Sequence, residues 1–81
     1  MHLEIITPDK KVFEGEVTSV QLPGTNGSFE VLQNHAALIS TLERGPVKVT
    51  AGGNVQTFTI DGGVVEVLKN QVIVMAEAVL A

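Results

Sequence analysis

Apolar and polar residues alternate along most of this chain, and Gly, Pro, Asn and Asp interrupt the alternation about every 8–12 residues. That is the rhythm of short strands joined by tight turns. "HLEII" predicts a first strand with Leu3 and Ile5 on one face, and Pro8-Asp9 turns the chain. "KVFEGEVTSVQL" predicts a longer second strand. In it Phe13 and Val17 share one parity, whereas Val20 and Leu22 share the other. One pleated strand holds both sets in a single core only with an inserted residue, so a β-bulge is expected between Val17 and Val20.

Downstream, "SFEVL" places Phe29 and Val31 on one side. "PVKVTA" alternates cleanly, with Val47, Val49 and Ala51 inward and Lys48 and Thr50 outward. "GGN" at 52–54 predicts a hairpin turn, because Gly and Asn tolerate positive φ. "VQTFTI" returns with Phe58 and Ile60 on one face, and "DGG" at 61–63 predicts another reversal. "VVEVL" then pairs through Lys69-Asn70 with "QVIVMAEA". "HAALISTLERG" predicts a loop followed by a short strand, since Ile39, Ser40 and Thr41 favour extended chain. No window sustains a 3.6-residue period, so no long helix is expected. The fold expected is all-β: a small β-sandwich of two antiparallel sheets with about 8–10 short strands, in one domain spanning 1–81.

The final strand breaks the usual pattern. Val72, Val74 and Ala76 face one way, and Ile73, Met75 and Val79 face the other. An antiparallel strand normally shows water a polar face. Two apolar faces mean a strand covered on both sides, either by its own fold or by a partner.

Composition narrows the function classes. The 81 residues include no cysteine, which favours a reducing compartment and excludes thiolate zinc sites and Cys nucleophiles. Net charge is −4 with five Lys and Arg in total, so no basic surface for a nucleic acid is expected. The longest apolar run, "VIVMAEAVLA", is ten residues with Glu77 inside it. A spanning helix needs about 20, so no bilayer insertion is expected. "MHLEIITPDKK" carries no signal-peptide pattern.

"QLPGTNGSFEVLQNHAAL", Gln21 to Leu38, is the segment richest in candidate chemistry. A phosphate-binding P-loop ends in Gly-Lys-Ser/Thr before a helix; "GTNGSFE" has no Lys and leads into a strand. It reads as a reversal with Gly24 or Gly27 at positive φ, or as an exposed contact loop. His35 reads first as a structural loop residue, then as a partner contact, and last as a catalytic base. A metal centre wants three or four donors, and the only other histidine is His2. Glu14 and Glu16 share a strand face, which without a cleft is a solvated face. Trp and Tyr are both absent, removing the usual sugar-stacking platforms. No cofactor, metal or catalytic residue is expected. A small-ligand or carbohydrate-binding sandwich, and a hydrolase around His35 or the Glu14/Glu16 pair, stand as rival classes.

In order along the chain come Pro8, Phe13 and Gly15; Pro23, Gly24, Gly27, Phe29, Val31, Leu32, His35, Ala36 and Leu38; Gly45 and Val47; then Gly62, Gly63, Glu66 and Val67. These match "P-x-x-x-x-F-x-G", "P-G-x-x-G-x-F-x-V-L-x-x-H-A-x-L", "G-x-V" and "G-G-x-x-E-V". The chain resembles, over essentially its whole length, the N-terminal β-sandwich domain of the ε subunit of F-type ATP synthases (δ in mitochondria). Gln33-Asn34 stands where many members have Pro-Gly. The resemblance implies a non-catalytic rotor part that links the γ subunit to the membrane c-ring. It implies that Gly24, Thr25, Asn26, Gly27 and Ser28 face the c-ring and that Thr7, His35 and Ser40 face γ. Ile73, Met75 and Val79 would form a covered apolar face. The family usually continues into a C-terminal helical hairpin; with the sequence ending at Ala81, inhibition by that hairpin and ATP binding are not expected here. The implied location is peripheral, on the cytoplasmic face of a bacterial inner membrane.

Overall fold

Seven strands make up the fold, and among the described residues there is no helix. The computed structural model describes residues 1–80. The strands are β1 (His2–Ile6), β2 (Lys11–Glu16), β3 (Ser19–Gly24), β4 (Gly27–Leu32), β5 (Leu38–Ala51), β6 (Asn54–Leu68) and β7 (Gln71–Ala76). They form one hydrogen-bonded sheet in the order β2-β1-β7-β6-β5-β3-β4. Neighbours are antiparallel except β1 and β7, which run parallel with Ile5 opposite Val74.

Strand length shows that this sheet is folded over. β5 has 14 residues and β6 has 15. A straight strand of that length would run about 46–50 Å at roughly 3.3 Å per residue. The longest dimension of the molecule is 26 Å. Both strands therefore bend, and they bend together: pairing continues from Leu42↔Gly63 through Arg44↔Asp61 to Pro46↔Thr59 in one register. Gly62 and Gly63 sit at the corner with φ of +94° and +150°. A Cβ on Gly63 would collide with the Met75 carbonyl and stand 2.9 Å from the Ala76 Cα. Only glycine fits where β6 turns past the end of β7.

The bend divides the sheet into halves that face each other. One half holds β4, β3, the end of β5 (Val47 to Ala51) and the start of β6. The other holds β2, β1, β7, the end of β6 and the start of β5. Leu3, Ile5, Val65, Val67, Val72 and Val74 from one half meet Val20, Leu22, Val31, Val47, Val49 and Ile60 from the other in a single fully buried cluster. Each such side chain contributes about 1.5–3 kcal/mol through burial. No polar residue is buried among the described residues, so this core is held by aliphatic packing alone.

Three expectations change. The strand count is seven rather than 8–10, because two pairs of short segments are continuous strands. "DGG" is a corner, not a reversal: its two flanks stay paired with β5 instead of with each other. The bulge between Val17 and Val20 is a strand break. The Val17 N–H donates to the Met1 carbonyl (2.8 Å) and the Thr18 N–H to the Thr50 carbonyl (2.8 Å), so successive residues bond to opposite halves. The chain crosses from one half to the other here, which is how both Val17 and Val20 are buried. "GGN" does turn the chain: Gly52 and Gly53 take φ of +56° and +86°, the pair a type I′ hairpin requires.

Candidate functional site

Gly24 to Ser28 is the β3–β4 hairpin tip, with Gly24 paired to Gly27 around Thr25 and Asn26. Gly27 has φ of +122°. A Cβ on Gly24 would approach the Gly27 carbonyl oxygen at 2.7 Å and the Phe29 ring at 2.8 Å, so this position also demands glycine. The tip is anchored sideways: the Thr25 N–H donates to the Thr41 carbonyl (3.2 Å), and the two threonine hydroxyls are 2.8 Å apart. Thr25, Asn26, Gly27 and Ser28 are exposed, forming a small polar knob held to β5.

Thr7, His35 and Ser40 do not form one site. Thr7 closes the β1–β2 hairpin by donating its N–H to the Lys10 carbonyl (2.9 Å). Its hydroxyl accepts from the Asp9 and Lys10 N–H groups, each at 3.3 Å. His35 lies in the β4–β5 loop, half-buried, with Nδ1 donating to the Ala36 carbonyl (2.7 Å). Ser40 is on β5, half-buried and opposite buried Val65. β6 and β7 separate β5 from β1, so Ser40 and Thr7 stand on opposite sides of that half. No nucleophile–base contact is formed by His35 or Ser40 among the described residues.

The outer face of the same half is largely apolar. Register aligns Thr41, Val64, Met75 and Ile6 in one row, and Ile39, Glu66, Ile73 and Glu4 in the next. Ile39 is 72% exposed, Leu68 50% and Met75 41%. Ile73 is half-buried and lines a hollow of about 190 Å³ with Glu66, Leu68, Lys69 and Gln71. Met75 lines a second, of about 370 Å³, with Ile6, Thr7, Pro8, Ala76 and Glu77. Val79 leaves this face. β7 ends at Ala76, and the chain then crosses to β6, where the Asp61 N–H donates to the Ala78 carbonyl (3.0 Å) and Val79 bridges Ile60, packed on the core. Alternation carried past Ala76 could not foresee that crossing. Ile39 and Leu68, the more exposed members, belong to strands whose outer parity becomes clear only from the register.

At the β2 edge lies a charged group that residue spacing alone did not reveal. His2 places Nε2 3.0 Å from Glu14 and Nδ1 3.0 Å from Glu16. Lys11 reaches Glu14 at 2.7 Å and Glu4 at 3.1 Å. Donating to Glu16 and then to Glu14 raises the pKa of His2; accepting from Lys11 and then from His2 lowers that of Glu14, and accepting from His2 lowers that of Glu16. One donor atom each from His2, Glu4 and Glu14 lies within 4.8 Å of the others. Lys11 Nζ bridges Glu4 and Glu14, so the group stands in this structure as an ion-pair network.

Residues 1–81 match the family described as ATP synthase, Delta/Epsilon chain, beta-sandwich domain. The ATP synthase epsilon chain of Caulobacter vibrioides is 39% identical over 77 residues, 95% of this chain and 90% of that one. The epsilon chain of Rhodopseudomonas palustris is 38% identical over 76 residues, and here the match spans 94% of this chain but 56% of the relative. A chain in the structure of the Euglena gracilis mitochondrial ATP synthase (OSCP, F1 and c-ring) superposes with a TM-score of 0.90 at 22% identity, over 96% of this chain and 51% of that one. That last likeness is one of fold.

Proposed function

The chain belongs to the ATP synthase delta/epsilon β-sandwich family, and we propose that it acts as a non-catalytic epsilon-type subunit of the rotor, joining the γ subunit of the central stalk to the c-ring. The match across residues 1–81 carries this reading. In it the ring is turned by ion flow, γ turns with the ring, and the sandwich locks one to the other. The polar knob at Gly24–Ser28 meets the polar loops of the ring. The outer face with Ile39, Leu68, Ile73 and Met75 meets γ, with Thr7 at the rim of the Met75 hollow; His35 in the β4–β5 loop is a separate point of contact, and Ser40, on the inward side of β5 opposite Val65, lies outside the contact. The location follows from the partners: peripheral, at the cytoplasmic face of a bacterial inner membrane.

Surface area supports a double contact. The chain exposes 4602 Å². Two ordinary interfaces of about 800 Å² each would cover roughly a third of that. The two hollows flanking Ile73 and Met75 give a partner's side chains places to seat, and such seating carries most interface energy. Transmitting torque needs a stiff body, and a dry aliphatic core closed by tight hairpins is one.

Gel filtration of the chain mixed with purified γ tests the proposal. Co-elution at about 10 μM of each is expected, the affinity a transient-to-stable interface supplies. Separate elution at that concentration would overturn it.

A further inference from the structure

β2 is the last strand of its half, hydrogen-bonded to β1 alone. It nevertheless covers core: Phe13, on its inner side, packs on Phe58 of the opposite half with ring centroids 5.7 Å apart. What holds β2 on its outer side is charge. His2 on β1 stands opposite Glu16 in the register, and its two ring nitrogens face two β2 carboxylates, each at 3.0 Å.

Both nitrogens can donate only in the imidazolium form. In the neutral ring one nitrogen presents a lone pair, and here that lone pair would meet a carboxylate oxygen. The geometry thus suits a protonated His2. Every charged group around it fits that balance. From β2 come Lys11, Glu14 and Glu16, from β1 Glu4, and beside them the Met1 ammonium, 3.4 Å from Glu16. β7 presents neutral Gln71. Three carboxylates face three cations while His2 is charged, and one negative charge is left over when it is not. His2 is about one-third exposed, so it exchanges protons with solvent freely.

We propose that β2 is a pH-gated strap: protonated His2 clamps it to β1, and loss of that proton frees the strand to open and uncover the flank of the core beneath Phe13. The device is built into this chain and acts with or without a partner bound. It places a proton-sensitive edge beside the outer face, built on histidine, the side chain suited to such a switch.

Amide hydrogen exchange on the whole chain, read by NMR between about pH 5.5 and 8.5, tests this, with the His2 ring titrated in the same samples. After correction for intrinsic exchange, protection of β2 amides relative to β7 amides is expected to fall severalfold as His2 loses its proton, the size that exposed ion pairs support. His2→Gln is expected to remove the pH dependence. Glu14→Gln with Glu16→Gln is expected to move the His2 midpoint back toward 6.5. Relative β2 protection that stays flat while His2 titrates would overturn the strap. So would a pH dependence that persists in His2→Gln, or a His2 midpoint indifferent to the two glutamate changes.

Discussion

The rings of Phe13 and Phe58 lie with centroids 5.7 Å apart and planes tilted by 59°. In a flat sheet they could not meet. Phe13 is aligned through Ile5 and Val74 with Val65, three strands over and seven residues along β6 from Phe58. That offset would be about 27 Å at the usual strand spacing and rise. Their contact is therefore a direct reading of how far the sheet folds over.

The pair should be energetically coupled. Phe13→Leu and Phe58→Leu are each expected to destabilise the chain, and the double variant by less than the sum. The difference is expected to be about 0.5–1.5 kcal/mol, the usual worth of an aromatic pair beyond its burial. Urea unfolding of the four chains gives the cycle.

Gly63 and Gly52 both have positive φ, yet their substitution by alanine should differ sharply. Gly52 has open space around its Cβ direction, so Gly52→Ala should cost about 1–2 kcal/mol from backbone strain alone. At Gly63 the Met75 carbonyl and the Ala76 Cα block the side chain, so Gly63→Ala should cost on the order of 3 kcal/mol or more. Thermal unfolding separates the two.

That contrast also marks how much of the fold was legible beforehand. "PVKVTA" and "GGN" carry their structure locally: alternation names the inward Val47 and Val49, and two flexible residues name the turn. "DGG" carries the same local chemistry as a turn and becomes a corner only because β5 pairs across it. The Val17/Val20 parity switch was visible, but a bulge and a crossover between halves leave the same trace in sequence. The apolar outer face was half legible. Ile73 and Met75 follow from alternation in β7, whereas Ile39 and Leu68 join them only through register. The His2 network needed the β1–β2 pairing, which sets His2 against Glu16 and Glu4 against Glu14.

Stability should peak in mildly acidic solution. The pKa of His2 is raised, so its contribution is complete below 6.5 and is lost as pH rises through the higher folded value. Those of Glu14 and Glu16 are lowered, so theirs is complete above 4.5 and is lost as pH falls through the lower folded values. The melting temperature should be highest between those limits, and the maximum should flatten as salt screens the exposed pairs.

Ile39→Lys and Val65→Lys should fail for different reasons. Ile39 is largely in water, so its replacement should change stability by no more than about 0.5 kcal/mol while weakening binding to γ. Val65 is fully buried, so a lysine there should prevent folding. Denaturation curves set beside γ binding separate the contact face from the core.

A subunit that locks the stalk to the ring acts mechanically, and its presence should show in the coupling of ATP hydrolysis to ion movement. Vesicles carrying an ATP synthase stripped of its epsilon-type subunit can be given this chain while ATP hydrolysis and ion uptake are followed together. ATP-driven ion uptake should return with added chain and saturate at one chain per rotor. Saturating chain that leaves uptake per ATP hydrolysed unchanged would contradict a role in locking the stalk to the ring.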